Sequence, residues 1–510
     1  MQRIFMKRIF FLILLISFFT TTLHSQPSFI KDSIDNYIEE GIRDWHIPGL
    51  AIAIIKDGKT VMMKGFGVEN LDTKKPVDEN TLFMIASNSK LFTGTALAHL
   101  EYHKKIALDD KITKYFPDFK LYDAHSTVMV NIRDMLSHHI GTKTFQGDFT
   151  FWNSGLSRAG IINKMQLMQP STSFRQSYGY CNSCFLTAGE IIQAAVKIPW
   201  EVYVYDSIIQ PLGMSQTHTL GNNMKTMPNA AVPYSNSYYR TLQQLPYDNI
   251  DNLAPATSIV SCVKDISKWL QMQLDSGRYE GRSILPWQVL QRTRAMETIV
   301  RSKKSTTIPS NFLGYGLGVF IQDYAGRQIY WHTGGADGFV TNTCFVPEEN
   351  LAIAIFTNND NQNFFELLRL QILDAYFNQP YQNRSKKSLP KYLSDMEAIY
   401  QLTDAMASRI KGNTPPEEMT AYVGTYNNNL YGSISIVPDG KRIKIKFEGH
   451  DGLYGYLDYM DNEEWRISFS NPAYGIFPVK FITAQHKVTG IDIKINDFIE
   501  YDAYHFSKEE

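Results

Sequence analysis

Residues 81–100 read TLFMIASNSKLFTGTALAHL. Strand-like apolar residues run up to Ser87, and a helix-forming stretch runs away from it. If Ser87 opens that helix, Lys90 lies one turn later on the same face, within reach of the hydroxyl. A serine hydroxyl is a poor nucleophile at its ordinary pKa and needs an adjacent base. Helix N-terminal amides point at the same spot and favour negative charge developing there. The spacing alone is not specific. Ser-x-x-Lys recurs at Ser28 and Lys31, Ser261 and Lys264, Ser388 and Lys391, and Ser408 and Lys411. The strand-to-helix setting and the partners downstream set Ser87 apart.

Working outward, a helical pattern over Ser28 to Asp44 precedes GLAIAIIKDGKTVMMKGFGVEN, which reads as a β-hairpin. Leu50 to Ile55 is its first strand, Lys56 to Lys59 its turn, and Thr60 to Gly67 its return. From about Asp109 to Leu290 the chain is mostly helical and loop-rich, with IRDMLSHHIG, AGEIIQAAV and KDISKWLQMQL in helical apolar spacing. Strands return near Leu317 as LGVFIQ, QIYWHTGG, GFVTNTCFVPEEN and LAIAIFTNND, with turns at Ala325-Gly326 and at Pro347 to Asn350. The amphipathic stretch FFELLRLQILDAYF closes the block at Phe377. Consecutive strands on tight turns predict an antiparallel sheet. The fold class expected is therefore α+β: an antiparallel sheet flanked by helices, with an all-helical insert. A polar linker, NQPYQNRSKKSLPK, and a helix to about Lys411 follow. From Met419 on, alternating strands separated by Asp-Gly and Asp-Asn turns predict a small all-β barrel or sandwich. The expected division is a signal segment at 1–26, a main domain at 28–380, a linker with a helix at 381–418 and a β domain at 419–510.

The length, 510 residues, and a hydrophobic fraction of 44% suit a folded chain of more than one domain. A net charge of -1 with no long basic run argues against nucleic acid as the partner. Arg3, Lys7 and Arg8 followed by the apolar run Ile9 to Phe19 read as a secretory signal, so the protein is expected to be exported, to the periplasm or beyond. That run is too short to span a bilayer comfortably, and no later segment reads as a transmembrane helix, so no stable membrane span is expected in the mature chain. The 4 cysteines are too few for a disulfide scaffold. Cys181 and Cys184 lack a thioredoxin-like context, which leaves two packed thiols or one local disulfide.

Ser87 needs a second proton-handling group and an oxyanion site. Tyr180-Cys181-Asn182 offers the first, since Tyr180 sits between the loop FRQSYG and the helical run FLTAGEII. Its phenolate would be a competent base only if a cation such as Lys90 lowered its pKa from about 10. Tyr-x-Asn also recurs elsewhere, for example at Tyr234 and Asn236, so setting again decides. His332-Thr333-Gly334-Gly335 ends the strand QIYWHTG, where small residues let a substrate approach the backbone. The Gly335 amide can complete an oxyanion hole with the Ser87 amide, and Thr333 can offer its hydroxyl to substrate. Competing motifs are missing: there is no Gly-x-Ser-x-Gly elbow and no His-Glu-x-x-His pair. His138 and His139 are adjacent, diverge on a helix, and read as loop or packing residues rather than metal ligands. Neither a metal nor a cofactor is expected.

Together, Ser87 to Lys90, Tyr180 to Asn182 and His332 to Gly334 resemble the three motifs of the class C β-lactamase family of serine hydrolases. That family also holds penicillin-binding D-Ala-D-Ala carboxypeptidases, D-aminopeptidases and esterases. The likeness covers roughly residues 30 to 378, and the segment from about Met419 resembles the lipocalin-like C-terminal domain of some peptidase-type members. The resemblance implies that Ser87 is acylated, that Lys90 and Tyr180 shuttle protons, and that Asn182 orients substrate or Lys90. It puts His332 and Thr333 on the opposite wall and the oxyanion on the amides of Ser87 and Gly335. The substrate would be a small molecule or peptide with an amide or ester bond. A penicillin-binding or receptor module with little turnover and a true β-lactamase are the alternatives. Many β-lactamases carry lysine where His332 stands, and a histidine that is mostly neutral at pH 7 fits a peptidase or esterase at least as well. Oligomeric state is left open.

Overall fold

A computed structural model describes residues 26–509 apart from 411, 413 and 441. The signal segment read at 1–26 lies outside the described residues, except for Gln26. The hairpin forms as strands β1 (Gly49–Lys56) and β2 (Lys59–Gly67). Asp57 and Gly58 both have positive φ, 53° and 71°, the conformation that a two-residue turn between twisted strands requires. The second group of strands comprises β3 (Thr298–Arg301), β4 (Leu313–Tyr315), β5 (Phe320–Tyr324), β6 (Arg327–Ala336), β7 (Phe339–Val346) and β8 (Leu351–Thr357). They join the hairpin in one antiparallel eight-stranded sheet, ordered β2-β1-β8-β7-β6-β5-β4-β3. The ends of the block meet at β1–β8, in register from Leu50 opposite Thr357 to Lys56 opposite Leu351.

The continuous apolar runs of β1 and β8 follow from burial on both faces, and β7 is buried along its whole length although Thr341 to Thr343 are polar. Leu50, Ile52 and Ile54 face helices α1 (Ile34–Asp44) and α4 (Phe364–Tyr376). Ala51, Ala53 and Ile55 face the other layer, where helix α2 (Ser89–Tyr102) is nearly buried all round. Helix α3 (Asn182–Val196) packs in that second layer too.

Two parts of the sheet and its flank differ from the sequence expectation. Strands β3 and β4 were not expected: they are four and three residues long and lie at the edge, too short to show a period. Most of the polar linker is helical, because helix α5 runs from Arg384 to Arg409. The Asn383 side chain caps it by accepting from the Lys386 amide, and Arg384 is buried against Asp374 at 2.6 Å. Those tertiary partners, invisible in the local composition, outweigh Pro390 inside the helix.

The C-terminal strands, from Gly424–Asn428 to Tyr504–Lys508, pair in sequence order and close into an eight-stranded barrel. Its inside is packed with Tyr426, Trp465, Ile467 and Phe506, all nearly fully buried, so the interior is a core and not a ligand cup. Among the described residues no helix is long and apolar enough to cross a membrane.

Candidate active site

The chain turns sharply at Ser87. Phe83–Met84 pairs with Val260–Ser261, and Ile85 donates its amide to the Ile259 carbonyl at 2.9 Å. Ala86 then takes φ +46°, a left-handed conformation that costs a non-glycine residue about 1 kcal/mol. One 3-10 turn, Ala86–Asn88, leads into α2. Asn88 holds this turn against the sheet: it donates to Thr341 Oγ1 at 2.9 Å and accepts from Thr343 Oγ1 at 2.6 Å. The result is a rigid, half-buried hydroxyl at the mouth of a cavity.

Lys90 is completely buried, and its Nζ has three neighbours: Ser87 Oγ at 3.0 Å, Asn182 Oδ1 at 2.7 Å and the Ala256 carbonyl at 2.9 Å. A neutral amine has two N–H donors and one lone pair. The two carbonyl oxygens can only accept, so they take the hydrogens and leave the lone pair facing Ser87. Burial lowers the Lys90 ammonium to a pKa of about 7. The nearest carboxyl, Asp148, receives the other end of Asn182 at 2.7 Å. Burial, and after it the Glu500 carboxylate, pushes Asp148 well above the usual carboxylate range. Burial outweighs the attraction of Asp148 for the ammonium, so Lys90 can lose its proton near neutrality.

Tyr180 leaves the loop before α3 with its ring 4.6 Å from Lys90 Nζ and its hydroxyl beside Ser87. The ring stacks on His138 at 4.3 Å, and His138 Nδ1 accepts the Cys181 amide at 2.9 Å. The sequence posed a phenolate lowered by Lys90. Here burial dominates and pushes the phenol up, so Tyr180 is a phenol at rest and Lys90 is the group able to accept a proton. All four cysteines are free thiols, Cys181 and Cys184 included.

His332, Thr333, Gly334 and Gly335 line the same cavity from β6. Pairing with β5 stops at Trp331, while β7 continues alongside from His332 opposite Thr343 to Gly335 opposite Val340. The segment therefore has one open edge. A Cβ on Gly334 would sit 2.0 Å from the Ile85 carbonyl oxygen, so β6 crosses the serine turn at a distance only glycine allows. His332 Nδ1 lies 2.6 Å from the Thr333 carbonyl, which can only accept, so Nδ1 carries the proton. Nε2 then accepts from the Tyr315 hydroxyl at 2.9 Å. Burial lowers His332 to a pKa of about 3, and the ring is neutral.

Of the eight residues singled out in the sequence, Lys90 thus lies buried behind Ser87 and the other seven line one cavity of about 500 Å³. Its lining is aromatic, with Phe145, Trp152, Tyr178, Phe320, Trp331 and Phe498 prominent, and among the described residues no lysine or arginine side chain lines it. Sequence reasoning missed Asp148, the Ala256 carbonyl and Tyr315. A backbone oxygen has no sequence signature, and Asp148 lies in FQGDFTFWN, where nothing in type or spacing points to Asn182. It also missed Asp497, Phe498, Ile499 and Tyr501, which reach the cavity from the barrel.

Comparison with known proteins adds the following. The family model described as Beta-lactamase matches residues 34–376, and the model described as Domain of unknown function (DUF3471) matches residues 408–508. Protein flp of Staphylococcus aureus (strain MRSA252) is 25% identical over 352 residues, which cover 68% of this chain and 66% of that protein. The chain therefore aligns with about two thirds of that relative's length. The Unguisins hydrolase ungD' of Aspergillus campestris (strain IBT 28561) is 25% identical over 426 residues, 79% of this chain and 77% of that one. Among solved structures, the octameric penicillin-binding protein homologue from Pyrococcus abyssi superposes with a TM-score of 0.60 at 19% identity, over 93% of this chain and 99% of the other.

Proposed function

The chain belongs to the beta-lactamase family, and from that premise we propose that it is an exported serine hydrolase cleaving an ester, peptide or amide bond with a bulky, uncharged acyl group. The observation that carries this reading is the setting of Lys90, whose two hydrogens are claimed by Asn182 and Ala256 so that its lone pair faces Ser87. Neutral Lys90 takes the Ser87 proton as Oγ bonds to the substrate carbonyl carbon. The backbone amides of Ser87 and Gly335 hold the oxyanion. As the intermediate collapses, the Tyr180 phenol gives its proton to the leaving oxygen or nitrogen and regains one from the Lys90 ammonium. Water then attacks the acyl-enzyme through the same groups, and a carboxylate product leaves. The basic and apolar start of the chain, Arg3 to Phe19, supports export.

The cavity supports the substrate class. With His332 neutral and no cationic side chain among its described lining residues, nothing there pairs with a substrate carboxylate, so esters and peptides should outrun cephalosporins. Treatment with a fluorophosphonate followed by mass analysis tests the reading: the adduct is expected on Ser87 and nowhere else. A chain that stays unlabelled refutes it. A p-nitrophenyl ester that acylates Ser87 and is never released identifies a binding module instead.

The pH profile is a second test. Lys90 acts as a base only when deprotonated, so kcat/KM for a neutral ester rises as pH climbs through about 7 and levels above it. A stopped-flow profile that is flat between pH 5 and 9 would remove Lys90 from the mechanism.

A further inference from the structure

The segment from Asn496 to Asp502 joins the last two barrel strands, Lys487–Ile493 and Tyr504–Lys508. It leaves the barrel and covers the catalytic cavity. Asp497, Phe498, Ile499 and Tyr501 all line that cavity. The Phe498 ring lies directly on β6, since a Cβ on Gly335 would meet its Cζ at 2.8 Å. Tyr501 packs against Phe145 at 5.5 Å, and Phe145 is itself 5.5 Å from the Tyr180 ring.

Three contacts hold this segment and the barrel against the main domain. Glu500, 1% exposed, accepts the amides of Gly147 at 2.9 Å and Phe149 at 2.8 Å and the Tyr504 hydroxyl at 2.9 Å. Those amides flank Asp148, the residue bonded to Asn182. In the opposite direction, Phe149 leaves the main domain and inserts among barrel rings, 4.9 Å from Tyr431, 5.2 Å from Tyr504 and 5.7 Å from Phe447. The Lys143 ammonium adds a more exposed pair with Asp502 at 2.8 Å. Adjacent residues therefore serve both sides: Asp148 faces the lysine chain and Phe149 the barrel. A domain tethered only for stability would not need to present three apolar side chains to the cavity.

We propose that the barrel is a wall of the active site, with Phe498, Ile499 and Tyr501 setting the size of the acyl group accepted and Glu500 acting as the positioning residue that anchors them. This rests on the hydrolase reading above, so its test needs one readout without chemistry. In the first, kcat/KM is measured for p-nitrophenyl esters from acetate to decanoate. Phe498→Ala is expected to raise the decanoate-to-butyrate ratio about 10-fold or more, the range a few methylenes command in an apolar pocket, and Phe498→Trp to lower it. Tyr501→Ala, at a side chain 54% exposed, should shift the ratio in the same direction as Phe498→Ala without threatening the fold. In the second readout, 4-alkylphenols of increasing chain length are titrated against the fluorescence of Trp152 and Trp331, which line the cavity. Affinity should shift toward longer chains in both alanine variants. Chain-length profiles that superimpose on the parent in both readouts overturn the proposal. A parent with no Ser87 adduct whose alanine variants still shift the alkylphenol series would refute the hydrolase reading and leave the wall standing.

Discussion

Ser87→Ala lowers kcat about 10⁶-fold and Lys90→Met about 10⁴-fold, and the double variant loses no more than Ser87→Ala alone. These magnitudes follow from what each group does. Removing a nucleophile leaves only binding and oxyanion stabilisation, and removing the base leaves a hydroxyl that must ionise unaided. The two act as a unit across 3.0 Å, so their losses cannot add. Single-turnover kinetics on a p-nitrophenyl ester read all three variants, and a double variant that multiplies the two losses would show that Lys90 works elsewhere. Stability separates catalysis from folding. Methionine removes a buried cation, which is favourable, but orphans Asn182 Oδ1 and the Ala256 carbonyl at about 1–3 kcal/mol each, so Tm stays within a few degrees. The pH dependence has a definite sign. Lys90 is lowered from 10.5 to about 7 in the folded chain, so the unfolded chain binds the extra proton between those values. The resulting destabilisation is complete below about pH 7 and is relieved toward 10.5. The parent therefore gains stability relative to Lys90→Met as pH rises from 7 to 9, which urea denaturation at the two pH values measures.

Much of this arrangement was legible in the sequence because it rests on local patterns. The run Leu50 to Ile55 has no polar face, which marks a strand buried on both sides, and the Asp57-Gly58 turn fixes its return. Ser87 and Lys90 share a helix face by spacing alone. Asn182 and His332 were placed by motif, with Asn182 expected to orient substrate or Lys90 and His332 to be mostly neutral, but their full set of partners was not. No sequence pattern says that Asn182 points one end at Lys90 and the other at Asp148, or that His332 spends both ring nitrogens on Tyr315 and Thr333. Those outcomes depend on which groups the fold brings together, 92 and 34 residues apart for Asn182 and 17 for His332 and Tyr315, and which it deprives of water. The direction of the Tyr180 shift shows the same limit, since a nearby cation and burial oppose each other and only coordinates decide which prevails. The barrel wall was the least visible feature: Phe498 and Glu500 lie more than 300 residues from Tyr180 in an ordinary strand connection.

Gly334→Ala destabilises the chain by about 3 kcal/mol or more and removes activity in whatever fraction still folds. The new methyl group would stand 2.0 Å from the Ile85 carbonyl oxygen and 2.4 Å from Thr341 Oγ1, and neither is the free end of a flexible side chain. That carbonyl already accepts from the Asn88 amide at 3.1 Å, from Asn88 Nδ2 at 3.2 Å and from Thr341 Oγ1 at 3.1 Å. Relief must come from moving β6 away from the serine turn, which breaks bonds on both sides and draws the Gly335 amide away from Ser87. Overpacking at such a site lies at the upper end of the usual range. Gly335→Ala provides the contrast. Its Cβ would meet only the tip of the Phe498 ring, which can rotate aside, so that variant should fold with a nearly unchanged Tm and lose part of its affinity for bulky esters. Thermal unfolding and fluorophosphonate labelling of the two variants decide the matter. Equal unfolding temperatures with equal labelling rates would mean that β6 does not press on the turn that carries the nucleophile.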